Sequence, residues 1–259
     1  LSTKDQADED IIDIEENRLF WRISSVFRLR IDDPAGYVGA CDVIWTHSPA
    51  NGALSQLLPH LRTILYVIRD PRDRLLSAAH FATTPYAHQM LAQPASTVDE
   101  HLRNCLFQGL GHWSQHLASY LRQKDRLGLK VLFFEQLVNE LPAHVSDLAA
   151  RIGLPLSDAQ VAAVCEALSL KRMKMENPGH VRQGRREAWR DELSAYHRAL
   201  ATFVAKPWLY LLNYPTGIES TLPNLDRVTP AAVERCRREC KIRLGLAMLA
   251  DRLKKSVRP

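Results

Sequence analysis

Two apolar runs, Thr63–Ile68 (TILYVI) and Lys130–Phe134 (KVLFF), lack polar alternation and are too short for core helices, so both read as buried strands. A shorter run, Asp42–Thr46, reads as a third strand followed by a turn at His47–Gly52. Elsewhere apolar positions recur at helical spacing. Trp113, Leu117, Tyr120 and Leu121 share one face of a helix over His112–Arg126, preceded by a helix over Val98–Phe107 that Ser96 or Thr97 caps. Pro142–Ile152, stopped by Gly153, and Asp158–Leu168, capped by Ser157, come next. Arg185–Ala201 carries a stripe of Trp189, Leu193, Tyr196 and Leu200. Pro207–Leu212 and a basic amphipathic segment from Pro230 to Leu253 complete the helices. Leu19–Leu29 and Ala53–Leu61 read as further short helices. Strands separated by helices predict an α/β fold with a mainly parallel sheet flanked by helices.

The boundary at residues 69–71 carries the first chemical signal. Asp70 suits a helix N-cap and Pro71 a first helical residue, so Arg69 falls at the carboxyl end of a strand, where open α/β sheets place ligands. A permanent guanidinium there, a helix amino terminus beside it and the Ser77 hydroxyl on that helix suit a phosphate. The plainer alternative is a surface arginine and a helix serine. Arg72 and Arg74 read as solvated helix charges. Arg182, Gln183 and Gly184 lie in a loop with Pro178 and Gly179, where a glycine lets backbone N–H groups turn around an anion. His47 is either a turn histidine or a general base, for which an imidazole is suited by its pKa.

These segments together resemble the sulfotransferases that use 3'-phosphoadenosine 5'-phosphosulfate (PAPS). Tyr66, Val67, Arg69, Pro71, Asp73, Ser77 and Phe81 match that family's "YVxRxPxDxxxSxxxF" block. Trp45-Thr46-His47-Ser48-Pro49 resembles its "KTHxP" turn, and Gly111-His112-Trp113 with His116 its "GxWxxH" helix start. Val131–Glu135, Ser169–Lys174 with Asn177-Pro178, and Arg182–Gly184 with Trp189 resemble its later motifs in the family's order. The resemblance implies a sheet of the type seen in phosphate-loop nucleotide enzymes and sulfuryl transfer from PAPS to a hydroxyl or amine, leaving 3',5'-adenosine bisphosphate, with no metal. It implies that Arg69, Ser77, Arg182, Gln183 and Gly184 hold the donor's 3'-phosphate. Phe134, Ser169 and Leu170 would line the adenine pocket, with core packing the alternative for Phe134 and Leu170, and His47 would deprotonate the acceptor. The acceptor is a small molecule, a carbohydrate or a lipid.

Departures from the family pattern motivate a second reading, a catalytically inactive nucleotide- or partner-binding relative. Trp45 stands where relatives carry lysine, Phe134 where they carry tyrosine and Leu170 where they carry phenylalanine. No segment matches the family's "PKSGTTW" phosphate loop, so the expectation is a fragment lacking that strand, loop and helix, and an unpaired slot in the sheet.

Composition adds less. Of 259 residues, 46% are hydrophobic and 24% charged, ordinary for a globular domain, and no run is apolar and long enough to cross a membrane. The dispersed cysteines (41, 105, 165, 236, 240) have no metal spacing or disulfide framework, which favours a reduced, cytoplasmic setting; Cys236 and Cys240 read as packing residues. The net charge of +5 is uneven: residues 1–17 hold seven acids against Lys4 and read as flexible or as an exposed acidic helix. The organisation expected is a sulfotransferase domain over 1–215 and a basic helical extension over 216–259. That extension docks on the core, on a second copy in a homodimer, or on an anionic membrane; without interleaved aromatics, nucleic acid is not expected.

Overall fold

The computed structural model describes residues 12–16, 27–29, 31–52, 54–90, 94–176, 184–217, 219 and 221–256. In chain order the elements are β1 (Ile12–Glu16), β2 (Phe27–Leu29), α1 (Pro34–Ala40), β3 (Ile44–Thr46), α2 (Leu54–Leu57) and β4 (Leu65–Ile68). Next come α3 (Pro71–Ala82), α4 (Pro85–Met90), α5 (Val98–Leu121), β5 (Lys130–Phe133), α6 (Phe134–Asn139), α7 (Leu141–Arg151) and α8 (Asp158–Ala167). The last are α9 (Leu170–Glu176), α10 (Trp189–Glu192), α11 (Ala195–Leu211) and α12 (Pro230–Ser256). Two compact units divide the chain, one of Leu1–Tyr66 with Gln115–Lys130 and one of Val67–Ser114 with Val131–Pro259. Helix-separated strands β4 and β5 form the parallel pair of an α/β fold. No helix among the described residues is long and apolar enough to cross a membrane.

In the first unit β1 is a central strand, antiparallel to β2 (Ile12 opposite Leu29) and to β3 (Ile14 opposite Thr46). Residues 12–16 are therefore neither a flexible stretch nor a helix. Their Ile-Asp-Ile-Glu alternation has the period of a strand, a signal stronger than acidic composition. Phe27–Leu29 is likewise a strand where a helix end is expected; the rest of that expected helix, except Leu29's neighbours in β2, lies outside the described residues. Helix α1 is additional: Asp33 accepts from the Gly36 N–H at 3.0 Å and Pro34 occupies the first turn. That is the same Asp-Pro start that marks α3.

Strand β4 is covered on one face. Ile64 and Ile68 are buried, but Leu65 and Val67 are 44% and 55% exposed, against the expectation of burial on both sides. Alternate side chains point to opposite faces, and the described residues cover one of them.

In the second unit α4, α6 and α9 have no counterpart among the predicted helices, and two predicted helix breaks are absent. α5 runs unbroken through Gly109 and Gly111, because glycine serves close packing rather than a break: a Cβ at Gly109 would stand 2.9 Å from Leu75 Cδ2 of α3. α11 begins at Ala195, capped by Ser194, and continues through Pro207. Proline removes the N–H that would bond Phe203 O, and the Arg243 Nη1 of α12 donates to that oxygen instead, at 3.4 Å. α12 packs on α11 through Val233, Cys236, Cys240 and Ala247, all buried. Burial pushes the Cys236 thiol up to about 11, which suits a packing residue.

The start of α3 is the tightest polar junction of this unit. Arg72 is fully buried, not solvated, which corrects the sequence expectation. Its Nη2 donates to Asp70 Oδ2 and to Pro215 O, both at 2.6 Å, its Nε to Asp70 Oδ1 at 3.0 Å, and its guanidinium lies 3.6 Å from the centroid of the Trp189 ring. Asp70 N–H donates to Glu135 Oε1 at 2.9 Å, and the Tyr214 hydroxyl to Glu135 Oε2 at 3.0 Å. Burial raises the Glu135 carboxyl above its ordinary range and lifts Tyr214 further still. Asp73 accepts from the Glu187 N–H at 2.7 Å and the Trp189 N–H at 2.9 Å, pinning the 184–189 loop to α3. Burial raises Asp73 to about 6 despite those bonds.

Removing one member of such a pair leaves an uncompensated buried charge. Arg72→Met is expected to lower unfolding free energy by about 3–5 kcal/mol in urea titrations, and a loss under about 1 kcal/mol would contradict the assignment. For Asp73 the folded pKa lies above the unfolded one, so its contribution is fully present below pH 3.8 and lost as pH rises through about 6. Asp73→Asn lacks that loss. Its stability relative to the wild type should climb by about 1–3 kcal/mol between pH 4 and 6, and a flat or falling difference would refute the shift.

Candidate functional site

In the second unit Arg69 leaves the end of β4 and turns its guanidinium over the Phe134 ring, 4.3 Å from the centroid. Nη2 donates to Arg185 O at 3.2 Å. Nε is buried and has no hydrogen-bond partner among the described residues. A buried N–H left unmade costs about 1–3 kcal/mol, and more for a charged group, so this atom invites an acceptor. Gly184, one residue before Arg185, has φ +59° in the left-handed region that favours glycine. A Cβ built on Gly184 would lie 3.7 Å from Leu170 Cδ1, an ordinary contact, so the backbone angle and not space calls for glycine there.

Four of the predicted residues thus form one cluster: Arg69 on Phe134, Arg69 bonded to the residue after Gly184, and Gly184 beside Leu170. Ser169 caps α9, its hydroxyl accepting from the Arg172 N–H at 3.4 Å. Ser77 is half-buried on α3, two turns in from Asp70. Arg182 and Gln183, with Asn177 and Pro178, lie outside the described residues. Asp73, which holds the loop that carries Gly184 and Arg185, is a positioning residue that sequence reasoning left without a role.

In the first unit His47 follows β3 and is exposed. Its imidazole meets the Trp45 ring edge-on at 4.9 Å and makes no hydrogen bond among the described residues. The turn that carries it is firmly held. Ser48 N–H donates to Thr46 Oγ1 at 3.0 Å, Tyr120 hydroxyl to Ser48 O at 3.0 Å, and Ala50 N–H to Ser119 Oγ at 2.8 Å. Gln123 Nε2 donates to Ala50 O at 2.7 Å. His116 Nε2 bonds His47 O at 3.1 Å while its Nδ1 meets the Tyr66 hydroxyl at 2.8 Å. A carbonyl only accepts, so Nε2 carries the hydrogen, and in the neutral ring Nδ1 accepts from the Tyr66 hydroxyl. His116 is therefore a buttress of the turn rather than a substrate-facing group. The signal was legible: His116, Ser119, Tyr120 and Gln123 share one helical face at spacings of three and four.

Among the described residues no cluster of three His, Cys, Asp or Glu side chains could hold a metal ion.

Comparison with known proteins places this geometry. A family model described as "Sulfotransferase domain" matches residues 40–203. The chain is similar to the 3-beta-hydroxysteroid sulfotransferase of Cavia porcellus, 26% identical over 114 residues, which are 43% of this chain and 38% of that one. It is similar to sulfotransferase 2B1 of Homo sapiens, 26% identical over 113 residues, 43% of this chain and 30% of that one. The matches thus span under half the length of these relatives. A retinol dehydratase, solved with androsterone and the inactive cofactor PAP, superposes with a TM-score of 0.54 at 21% identity, over 69% of this chain and 54% of that one. The family match covers the turn of His47, the α3 start with Arg69 and the Gly184 loop alike, and on that extent the chain belongs to the sulfotransferase domain family.

Proposed function

We propose that the protein transfers a sulfuryl group from PAPS to the hydroxyl or amine of a small-molecule acceptor, releasing 3',5'-adenosine bisphosphate. The observation that carries this reading is the buried Nε–H of Arg69 at the end of β4, which has no partner among the described residues. A phosphate oxygen supplies the missing acceptor and the opposite charge in one contact. The left-handed backbone at Gly184 and the Ser77 hydroxyl support binding of the donor's 3'-phosphate, for which the family resemblance also implies Arg182 and Gln183, outside the described residues. Phe134 supports the guanidinium that lies over its ring, while Leu170 and Ser169 border the adenine side.

PAPS supplies an activated sulfuryl group whose S–O bond to phosphate breaks as the acceptor oxygen bonds sulfur. His47 takes the acceptor's proton. Its ring has no competing hydrogen bond among the described residues, and the carbonyl behind it is fixed by His116, so the base is held without being occupied. Such a base contributes about 10²–10⁴-fold. As in phosphoryl transfer, positioning and charge neutralisation carry most of the remainder. The steroid, retinol and androsterone in the relatives' names support a small lipophilic alcohol as acceptor; carbohydrate and lipid acceptors fit the same chemistry.

Trp45 favours a second reading. It sets an indole, not a cation, against His47, which suits a relative that binds the nucleotide without transferring sulfate.

Calorimetry tests the clamp. The protein should bind 3',5'-adenosine bisphosphate at least about tenfold tighter than 5'-AMP, and Arg69→Ala should erase that difference. Equal affinities, or an unaffected Arg69→Ala, would sink the proposal. With radiolabelled PAPS and a panel of sterols and phenols, His47→Ala should lower turnover about 10²–10⁴-fold with bisphosphate affinity unchanged. Binding without turnover by the wild type would favour the second reading.

A further inference from the structure

α12 carries a feature that sulfuryl transfer does not use. Ile242, Leu246, Leu249 and Leu253 recur at spacings of four, three and four, and are 64%, 55%, 56% and 58% exposed. At 3.6 residues per turn they fall within about 60° of arc, on the side away from Val233, Cys240 and Ala247, which face α11. Leucines scattered singly over a surface need no explanation, but four in register on one helix do. The helix Pro230–Ser256 holds eight Arg and Lys against Glu234, Glu239 and Asp251. Arg243 and Lys254 are turned inward over the Phe203 and Tyr196 rings. Arg235, Lys241 and Arg252 meet no carboxylate among the described residues and lie along or beside the apolar stripe.

We propose that this face of α12 lies in the plane of an anionic membrane surface, with the four aliphatic side chains in the acyl boundary and the unpaired cations at the lipid headgroups. Three observations choose this occupant over a second copy of the chain. The stripe exposes on the order of 400 Å² of apolar area, half of the ~800 Å² per partner found in stable protein interfaces. It also spans less than two heptads, where coiled coils need three or four. And two copies would bring like charges together, whereas anionic lipid neutralises each exposed Lys or Arg favourably. An apolar stripe bordered by cations, on a helix otherwise anchored to its own domain, is the pattern of a surface-lying helix.

Flotation with extruded vesicles tests this on the full chain. Retention on phosphatidylcholine vesicles with roughly a third phosphatidylserine should exceed that on phosphatidylcholine alone at least about tenfold, and should fall as salt is raised. Leu246→Gln/Leu249→Gln and Lys241→Glu/Arg252→Glu should each reduce it at least about tenfold, with melting temperature unchanged because all four positions are exposed. Leu249→Trp gives an independent reading: its added fluorescence should shift to the blue on phosphatidylserine vesicles. No retention, retention indifferent to both double variants, or no spectral shift would overturn the proposal. So would a dimer by light scattering that Leu246→Gln/Leu249→Gln converts to monomer, which would assign the stripe to self-association.

Discussion

A guanidinium with no solvent exposure must find every partner inside the protein, and Arg72 sets that demand at the start of α3. It is met by the Asp70 carboxylate, the Pro215 carbonyl and the face of Trp189. Asp70 in turn binds Glu135 through its backbone, and Glu135 binds Tyr214. The ends of β4 and β5, the first turn of α3, the loop before α10 and the turn after α11 are thereby drawn to one point. Buried ionic groups are costly and add little net stability, but when fully satisfied they permit one arrangement. That arrangement is the physical basis of the candidate site. Asp73 holds the 184–189 loop by two backbone bonds, and Arg69 keeps a buried donor that has no partner among the described residues.

The local features were the readable ones. An apolar run, then Asp-Pro, specifies strand, cap and helix within a few residues, and β4 and α3 stand where that grammar puts them. Ser157 with Gln160 and Gly153 behave likewise. Arg72 was not legible because nothing in its neighbourhood distinguishes a solvated helix charge from a buried one. Its partners at Trp189 and Pro215 are distant in sequence. The same limit explains α5 and α11. Glycine and proline argue locally for a break, and only the closeness of Leu75 and the donor from Arg243 reveal why the helix continues. β1 failed for a different reason: the strand alternation of residues 12–16 was outweighed by acidic composition, a weaker argument.

For the site, motif order picked out residues of which Arg69, Phe134, Leu170 and Gly184 stand together, but it did not give their relations. Phe134 was expected beside an adenine and is found beneath Arg69, where it restrains the one cation that matters most. His116, matched only as part of a helix-start motif, is found bridging Tyr66 and the backbone of His47. In both units the residues proposed to touch ligand are held by hydrogen-bonded neighbours, Asp73 beside the Gly184 loop and His116 behind His47. A loose base or a wandering guanidinium would lose most of its effect, since misplacement by about 1 Å can cost two orders of magnitude in rate.

The proposed phosphate contact rests on the buried Nε–H of Arg69, which has no partner among the described residues. Proton–nitrogen NMR of the arginine Nε–Hε groups, with Arg69 assigned by Arg69→Lys, observes that atom itself. The account predicts a downfield displacement of the Arg69 Hε resonance and slowed exchange with water on adding 3',5'-adenosine bisphosphate, and neither on adding 5'-AMP. A response at other arginines with Arg69 unmoved, or the same response to both nucleotides, would contradict it.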